Sequence, residues 1–170
     1  MTTKRIVFAR LDGGVSVTVP DPDYMAILMA DTPAGQGLTE AQALAAVQAR
    51  SVPGDATNIE IMEVATIPNS REFRDAWEKP GTGALTVNMT KARAIHAERI
   101  GQAKVTASLT LARDEEVERI KGNTVTADAM ANKRTSGGAI DIAEIAAQIA
   151  NAPNSMVLSA IWPNELDDFR

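Results

Sequence analysis

The feature that most constrains the fold is a long stretch in the second half of the chain with almost no helix-breaking residue. Between Thr90 and Lys121 there is no proline, and Gly101 is the single glycine. The pattern predicts one long helix over about 90–121, ending at the C-cap signal Gly122-Asn123. Small and apolar residues recur along it at steps of three and four, the spacing of one helical face: Met89, Ala92, His96, Ile100, Ala103, Ala107 and Leu111.

This stripe is narrow and consists mostly of alanine. Small side chains let two helices approach closely, but each buries little area, at about 25 cal/mol per Å². The helix that we predict from Asp141 to Asn151 is too short to cover it. We therefore expect part of the stripe, including Ala103, Ala107 and Leu111, to face a partner chain, either a second copy or another protein.

Shorter helices are predicted elsewhere in the second half. The segment 126–133 predicts a short helix, and Ser136-Gly137-Gly138 predicts a loop after it. Asp141 and Glu144 have the spacing of a helix cap, followed by the apolar face Ile142, Ile145, Ala146 and Ile149. A last turn from Ser155 carries Ile161 and Trp162, and Pro163 ends it.

The first half has the alternation that is typical of strands. The segments 5–10 and 14–20 predict a hairpin whose turn is 11–14, and 58–65 predicts a third strand. Thr39 precedes Gln42 at capping-box spacing, which predicts a helix that stops near Arg50. The chain is thus predicted to be α+β, with a small α+β domain at 1–79 and a helical region at 80–170.

Two aromatic residues stand out because aromatics make up only 4% of the chain. Asn69 and Glu72 have cap spacing and predict a short helix over 71–78, on which Phe73 and Trp77 are four residues apart. Such a pair most often fixes a helix to a sheet. An interface anchor is the alternative for both, and Ile161 and Trp162 near the C-terminus have the same two interpretations.

Composition and motifs exclude several classes of function. A net charge of −5 argues against general nucleic-acid binding, and no apolar run approaches the roughly 20 residues that span a bilayer. The chain has no cysteine and one histidine, His96, without the partners of a metal site or a catalytic triad. We expect no cofactor, no metal and no catalytic residue, and hence a non-enzymatic protein.

Three segments carry a resemblance to a known family: Arg71-Glu-Phe-Arg-Asp-Ala-Trp77, Met89-Thr-Lys-Ala-Arg-Ala-Ile-His-Ala-Glu-Arg-Ile100 and Ile161-Trp-Pro-Asn-Glu-Leu166. In this order and at these separations, across roughly 57–166, they resemble small proteins of tailed bacteriophages and prophages that are encoded in the tail or tail-fibre region. After Ile100 the chain departs from that pattern, because Ala, Val and Thr replace a more charged, Leu-rich stretch.

The resemblance implies a role in the virion tail, with the host cytoplasm as the place of assembly. Our first hypothesis is a structural or adaptor protein at or near the tail fibres, in a homo-oligomer or another multi-copy assembly. Its partners would be other tail or tail-fibre proteins. An assembly chaperone that is absent from the mature particle is the alternative. A muralytic enzyme is a third hypothesis, which the missing acid/base constellation disfavours.

Overall fold

A computed structural model describes residues 2–32, 35–68 and 70–170. The chain divides into two compact units, Met1–Asn88 and Met89–Arg170. Its class is α+β, as predicted, with a small antiparallel sheet followed by one long and several short helices. The unit boundary falls after Asn88 rather than at residue 79, because a strand at Thr86–Val87 pairs back onto the first unit.

The first unit is organised around a three-stranded sheet. Its strands are β1 (Lys4–Ala9), β2 (Val15–Thr18) and β3 (Thr57–Glu63), and β1 pairs antiparallel with both neighbours in the order β2-β1-β3. The predicted hairpin between β1 and β2 is confirmed. The Arg10 N–H donates to the Gly14 oxygen at 2.8 Å. Gly13 has φ +77°, a conformation that glycine adopts without strain.

Two helices cover one face of this sheet. They are α1 (Pro22–Met29), capped by the Asp21 carboxylate, and α2 (Glu40–Ser51). The predicted capping box of Thr39 and Gln42 is present at the start of α2. The first core cluster lies between β1 and these two helices. Ile6 of β1 packs there against Met25, Leu28, Ala43, Leu44 and Val47.

A second core cluster holds Val7, Val15, Met62, Trp77 and Leu85. The helix that we predicted over 71–78 is wrong, and its cap residue Asn69 lies outside the described residues. A single 3-10 turn (Arg74–Ala76) leads instead into β4 (Trp77–Glu78), which pairs with β5 (Thr86–Val87). A helix of two turns is marginal by itself. Pairing of β4 with β5 and burial of Trp77 therefore decide the local structure.

The second unit is helical. It consists of α3 (Met89–Ile120), α4 (Thr124–Gly138), α5 (Ile142–Asn151), α6 (Ser155–Ala160) and a C-terminal 3-10 helix (Asn164–Phe169). The long helix and its end at Gly122, which has φ +81°, agree with the prediction. Within the described parts of the chain, no helix combines the length and the apolar character needed to cross a membrane.

Helix α4 is longer than predicted and forms an antiparallel hairpin with α3. Glu115 pairs with Arg134 at 2.9 Å, while Arg119 reaches Asp128 at 3.4 Å, so the two helices run in opposite directions. Hydrogen bonds from Arg134 and Arg119 lower the pKa of the Glu115 carboxyl. The loop predicted at 136–138 is wrong, because the helix continues through Gly137 and Gly138 despite about 1 kcal/mol of lost propensity for each glycine.

This hairpin corrects the expected exposure of the α3 stripe. Ala103 and Ala107 are buried, whereas Leu111 is half-buried. We expected a partner chain there because α5 alone is too short to cover α3. In the structure α3 packs against α4, α5, α6 and the C-terminal 3-10 helix. The protein thus supplies its own cover for Ala103 and Ala107.

Candidate protein-binding groove

Three polar side chains of α3 hold the C-terminal elements in place through backbone carbonyl groups. Arg93 Nη2 donates to the oxygen of Ala152 at 2.8 Å, and Lys104 Nζ donates to the oxygen of Ile140 at 3.0 Å. His96 Nε2 lies 2.7 Å from the oxygen of Ile161. Because a carbonyl oxygen only accepts, Nε2 is the protonated ring nitrogen in this bond.

These bonds fix the direction and position of α5. Lys104 binds just before α5 begins, and Arg93 binds just after it ends, so α5 runs antiparallel to α3. Lys104 follows Arg93 by eleven positions, which corresponds to about 16 Å along a helix. The segment from Ile140 to Ala152 matches that length. Helix α5 is therefore tied to α3 at both ends.

Helix α5 has an unusual exposure for its composition. The side chain of Asp141 caps it by accepting from the N–H groups of Ala143 and Glu144, as predicted. Its ten residues include three isoleucines and four alanines, yet Ile149 is the one buried residue. Ile142 stays exposed and Ile145 half-buried. The apolar face that we predicted for α5 is thus only partly used by the second unit.

Beside this face lies an open groove, which we call the C-terminal groove. It encloses about 640 Å³ between the end of α4, α5, α6 and the segment 161–165. Its apolar wall consists of Ile140, Ile145, Val157, Ile161 and Trp162. Three carboxylates, from Asp141, Glu144 and Glu165, lie at the same groove, and no Lys or Arg is among its described lining residues.

Trp162 is the largest side chain of the groove and is half-buried. Its ring lies 6.1 Å from the His96 ring in a tilted arrangement, and the Arg170 guanidinium lies 5.5 Å from the indole centroid. Arg170 also donates to the Ser159 oxygen at 2.8 Å. The Trp162 Nε1 atom is buried and has no hydrogen-bond partner among the described residues. A bound chain would reach this donor only after a shift of the indole ring that brings Nε1 to the surface.

The residues predicted from the sequence as interface candidates fall into two groups in the structure, core residues and surface residues. Phe73 and Trp77 are buried in the first unit, and Ala103 and Ala107 are buried on α3. Leu111 is half-buried, and Ile161 and Trp162 line the groove. The first four are core residues of the chain itself, and Ile161 and Trp162 are the candidates that share a surface site.

Ile140, Ile145 and Val157 were not identified as surface-site residues from the sequence. The sequence carries one signal, because seven of the ten residues of α5 are Ile or Ala, more than one buried face of so short a helix holds. The groove combines an apolar wall, which includes the Trp162 indole ring, with three acidic side chains. Among the described residues, no three His, Asp or Glu side chains are grouped so that they could hold a metal ion.

Comparisons of the chain with protein-family models, with curated proteins and with solved structures find no match.

Proposed function

We propose that the protein is a non-enzymatic adaptor of a bacteriophage tail, at or near the tail fibres, and that its C-terminal groove attaches it to another tail protein. The observation that carries this proposal is the exposure of α5. A helix with three isoleucines and four alanines buries Ile149 and leaves the other residues at the surface or half-buried. Exposed apolar faces beside a concave wall are characteristic of protein–protein interaction sites.

Exposed apolar side chains in and beside the groove would contribute to attachment. Val157 in the groove and Ile142 on α5 are each more than 40% exposed, and Met156 on α6, which like Ile142 lies outside the groove lining, is 80% exposed. Covering them would remove apolar area from water, at about 25 cal/mol per Å². Trp162 gives the groove a rigid aromatic anchor of the kind that dominates interface energetics. The groove thus offers both a hydrophobic contribution and a specific contact.

Charge indicates what kind of partner segment fits. Asp141, Glu144 and Glu165 lie at the groove without a basic residue among its described lining. A partner helix with an apolar stripe flanked by Lys or Arg would complement both the wall and the carboxylates. A second copy of this chain would instead place like charges together, because its own groove is acidic. We therefore favour a different tail protein as the partner.

Placement in the tail rests on the resemblance, and the fold gives a physical reason why two of its segments occur together. Met89–Ile100 forms the start of α3 and carries Arg93 and His96. Ile161–Leu166 forms one wall of the groove and ends at the buried Leu166. The His96–Ile161 hydrogen bond joins them directly.

Mass spectrometry of purified tails from the phage that encodes the protein tests the proposal. We expect the chain at a fixed number of copies per particle, with cross-links from α5 or α6 to one other tail protein. The assembly-chaperone alternative predicts abundant protein in infected cells and none in particles. Absence from particles would therefore overturn the adaptor proposal. Cross-links to the tail from the first unit alone would show that the groove is not the attachment site.

A further inference from the structure

A cleft in the first unit is rich in arginine, although it belongs neither to the core of that unit nor to the C-terminal groove. It encloses about 540 Å³ beside β2 and the segment 64–77. The first unit contains five arginines, and four of them, Arg5, Arg10, Arg71 and Arg74, line this cleft. The unit as a whole is acidic, with eleven Asp and Glu against seven Lys and Arg. We call this site the arginine cleft.

The arginines are available to a ligand. Arg71 and Arg74 are exposed and make no ion pair with any described residue, although Asp75 lies in the same cleft. Arg5 donates from Nη1 to the Lys4 backbone oxygen at 2.9 Å, which leaves its charge uncompensated by a carboxylate. Arg10 alone has an acidic partner, Asp12, at 3.1 Å. Guanidinium groups at this density favour carboxylates, which they bind through two parallel hydrogen bonds.

The cleft follows the open edge of the sheet. Every residue from Val15 to Val19 lines it. Successive residues of a strand point to opposite faces, so a cavity touched by all of them lies along the strand's edge. Strand β2 is the outermost strand on its side of the sheet in the described part of the chain. Its outer edge therefore borders the cleft.

The pairing register shows which backbone groups face that edge. The Arg10 N–H donates to the Gly14 oxygen, so these two residues form a hydrogen-bonded pair. Bonded and non-bonded pairs alternate in an antiparallel ladder. Ser16 is therefore bonded to Phe8, and Thr18 to Ile6. The N–H and C=O groups of Val15 and Val17 then point outward, where a further strand would find them.

A second, independent observation also points to a ligand. Trp77 lines the cleft and is 3% exposed, and its Nε1 atom is buried without a hydrogen-bond partner among the described residues. A buried donor left unpaired carries a free-energy penalty, because it has lost its hydrogen bond to water. An acceptor oxygen from a molecule in the cleft would remove that penalty.

We propose that the arginine cleft binds an extended, acidic segment of another protein, which adds as a strand to the free edge of β2. Backbone groups of Val15 and Val17 pair with the segment's main chain, and the arginines receive its carboxylates. Side chains two residues apart on a strand are about 6.7 Å apart and on the same side. A segment with Asp or Glu at alternate positions therefore presents a row of carboxylates to one wall. This site lies in the first unit and is separate from the C-terminal groove.

Titration of the full-length protein with synthetic peptides tests the proposal. The probe is an N-acetylated, C-amidated peptide with three Glu-Val repeats, and the matched peptide carries Lys in place of Glu. A third peptide has the Glu-Val sequence with N-methyl groups on alternate residues, which keeps the charge and blocks strand pairing. Citrate serves as the small anion. Calorimetry gives the affinities, and the ¹⁵N–¹H signal of the Trp77 indole, assigned with Trp77→Phe, reports on the buried donor.

We expect the Glu-Val peptide to bind, to shift the Trp77 indole signal and to weaken with added salt. The Lys peptide should not bind, and the N-methylated peptide should bind at least about 10-fold more weakly. Arg71→Gln with Arg74→Gln should weaken binding by about 10-fold or more. Arg50→Gln, at the arginine of the first unit that lies outside the cleft, should leave binding unchanged. Asp75→Asn should strengthen it.

Three results would overturn the proposal. One is no binding of the Glu-Val peptide at low salt. A second is equal binding of the N-methylated peptide or of citrate, which would make the cleft a small-anion site without strand addition. The third is binding that survives loss of both Arg71 and Arg74 and leaves the Trp77 indole signal in place. None of these results depends on attachment through the C-terminal groove.

Discussion

The imidazole Nε2 of His96 donates to the backbone oxygen of Ile161 across 2.7 Å, although 65 residues separate them in the chain. His96 has no exposed surface, and Ile161 directly precedes the groove residue Trp162. The bond therefore links the third turn of α3 to the wall of the C-terminal groove. A single histidine, which the sequence marks neither as a ligand nor as a catalyst, has a structural role here.

His96→Phe should destabilise the second unit by about 1–3 kcal/mol, because the Ile161 carbonyl loses its partner while the ring volume is nearly kept. Urea unfolding followed by circular dichroism measures this. Gln102→Ala on the exposed face of the same helix is the control and should change stability by less than about 0.5 kcal/mol. Equal midpoints for His96→Phe and the parent would show that the bond contributes nothing to stability.

Trp77→Ala should destabilise the first unit by about 3–5 kcal/mol, since a large aromatic side chain leaves a packed cluster with Val7, Val15 and Met62. Trp77→Phe keeps most of that packing and should cost clearly less. Thermal unfolding of the full-length variants gives the comparison. An unchanged melting temperature for Trp77→Ala would contradict the placement of Trp77 in the core.

Glutamate at both Ala103 and Ala107 should unfold the helical unit of the isolated protein, because two carboxylates would enter the buried side of α3. The matched control is glutamate at Val105 and Leu109, which have the same spacing and are 60% and 68% exposed. That pair should keep the helix content of the parent in circular dichroism. If the Ala103 and Ala107 variant also folds normally, the stripe lacks the intramolecular cover described above.

The Glu60–Lys79 ion pair predicts a pH dependence for the first unit. The Lys79 side chain is fully buried against Glu60 and the Gly83 oxygen. Hydrogen bonds from Lys79 and from the Gly83 N–H lower the pKa of the Glu60 carboxyl. A carboxyl whose pKa is lower in the folded state stabilises the fold above its unfolded pKa, about 4.3. That stability is lost as the pH falls from there through the folded pKa.

Melting curves recorded from pH 7 to pH 3 measure this effect. Glu60→Gln should lower the melting temperature at pH 7, because Lys79 loses its charged partner, and should flatten the decline below about pH 4.3. Asp55→Asn, which removes an exposed charge, is the control and should follow the parent curve. Parallel acid declines for Glu60→Gln and the parent would contradict a role for this pair.

Local signals in the sequence were enough for the long helix, the first hairpin and the caps at Thr39 and Asp141. Each of these depends on residues within a few positions of one another, such as the N–H groups that a cap receives. The α+β class follows from the same patterns. Periodicity of this kind is carried by the chain itself, without knowledge of what packs on it.

Elements whose structure depends on distant partners were not predictable in this way. The segment around Trp77 forms a strand because Val87 pairs with it, and α4 continues through two glycines while packed along α3. The groove is set by Arg93, His96 and Lys104, which reach carbonyl groups that no sequence pattern identifies. Ile161 and Trp162 were found as candidates, but their common wall with Ile145 required the structure.

The most direct measurement of the central claim is incorporation of groove variants into tails. The gene copy is replaced by one that encodes Ile145→Glu or Ala147→Glu, and the second adds the same charge to an exposed α5 position outside both the groove lining and the apolar face. Quantitative mass spectrometry then counts copies in purified tails, after circular dichroism has shown that both variants fold. Attachment through the groove predicts normal incorporation of Ala147→Glu and loss of Ile145→Glu. Equal incorporation of the two folded variants would contradict it.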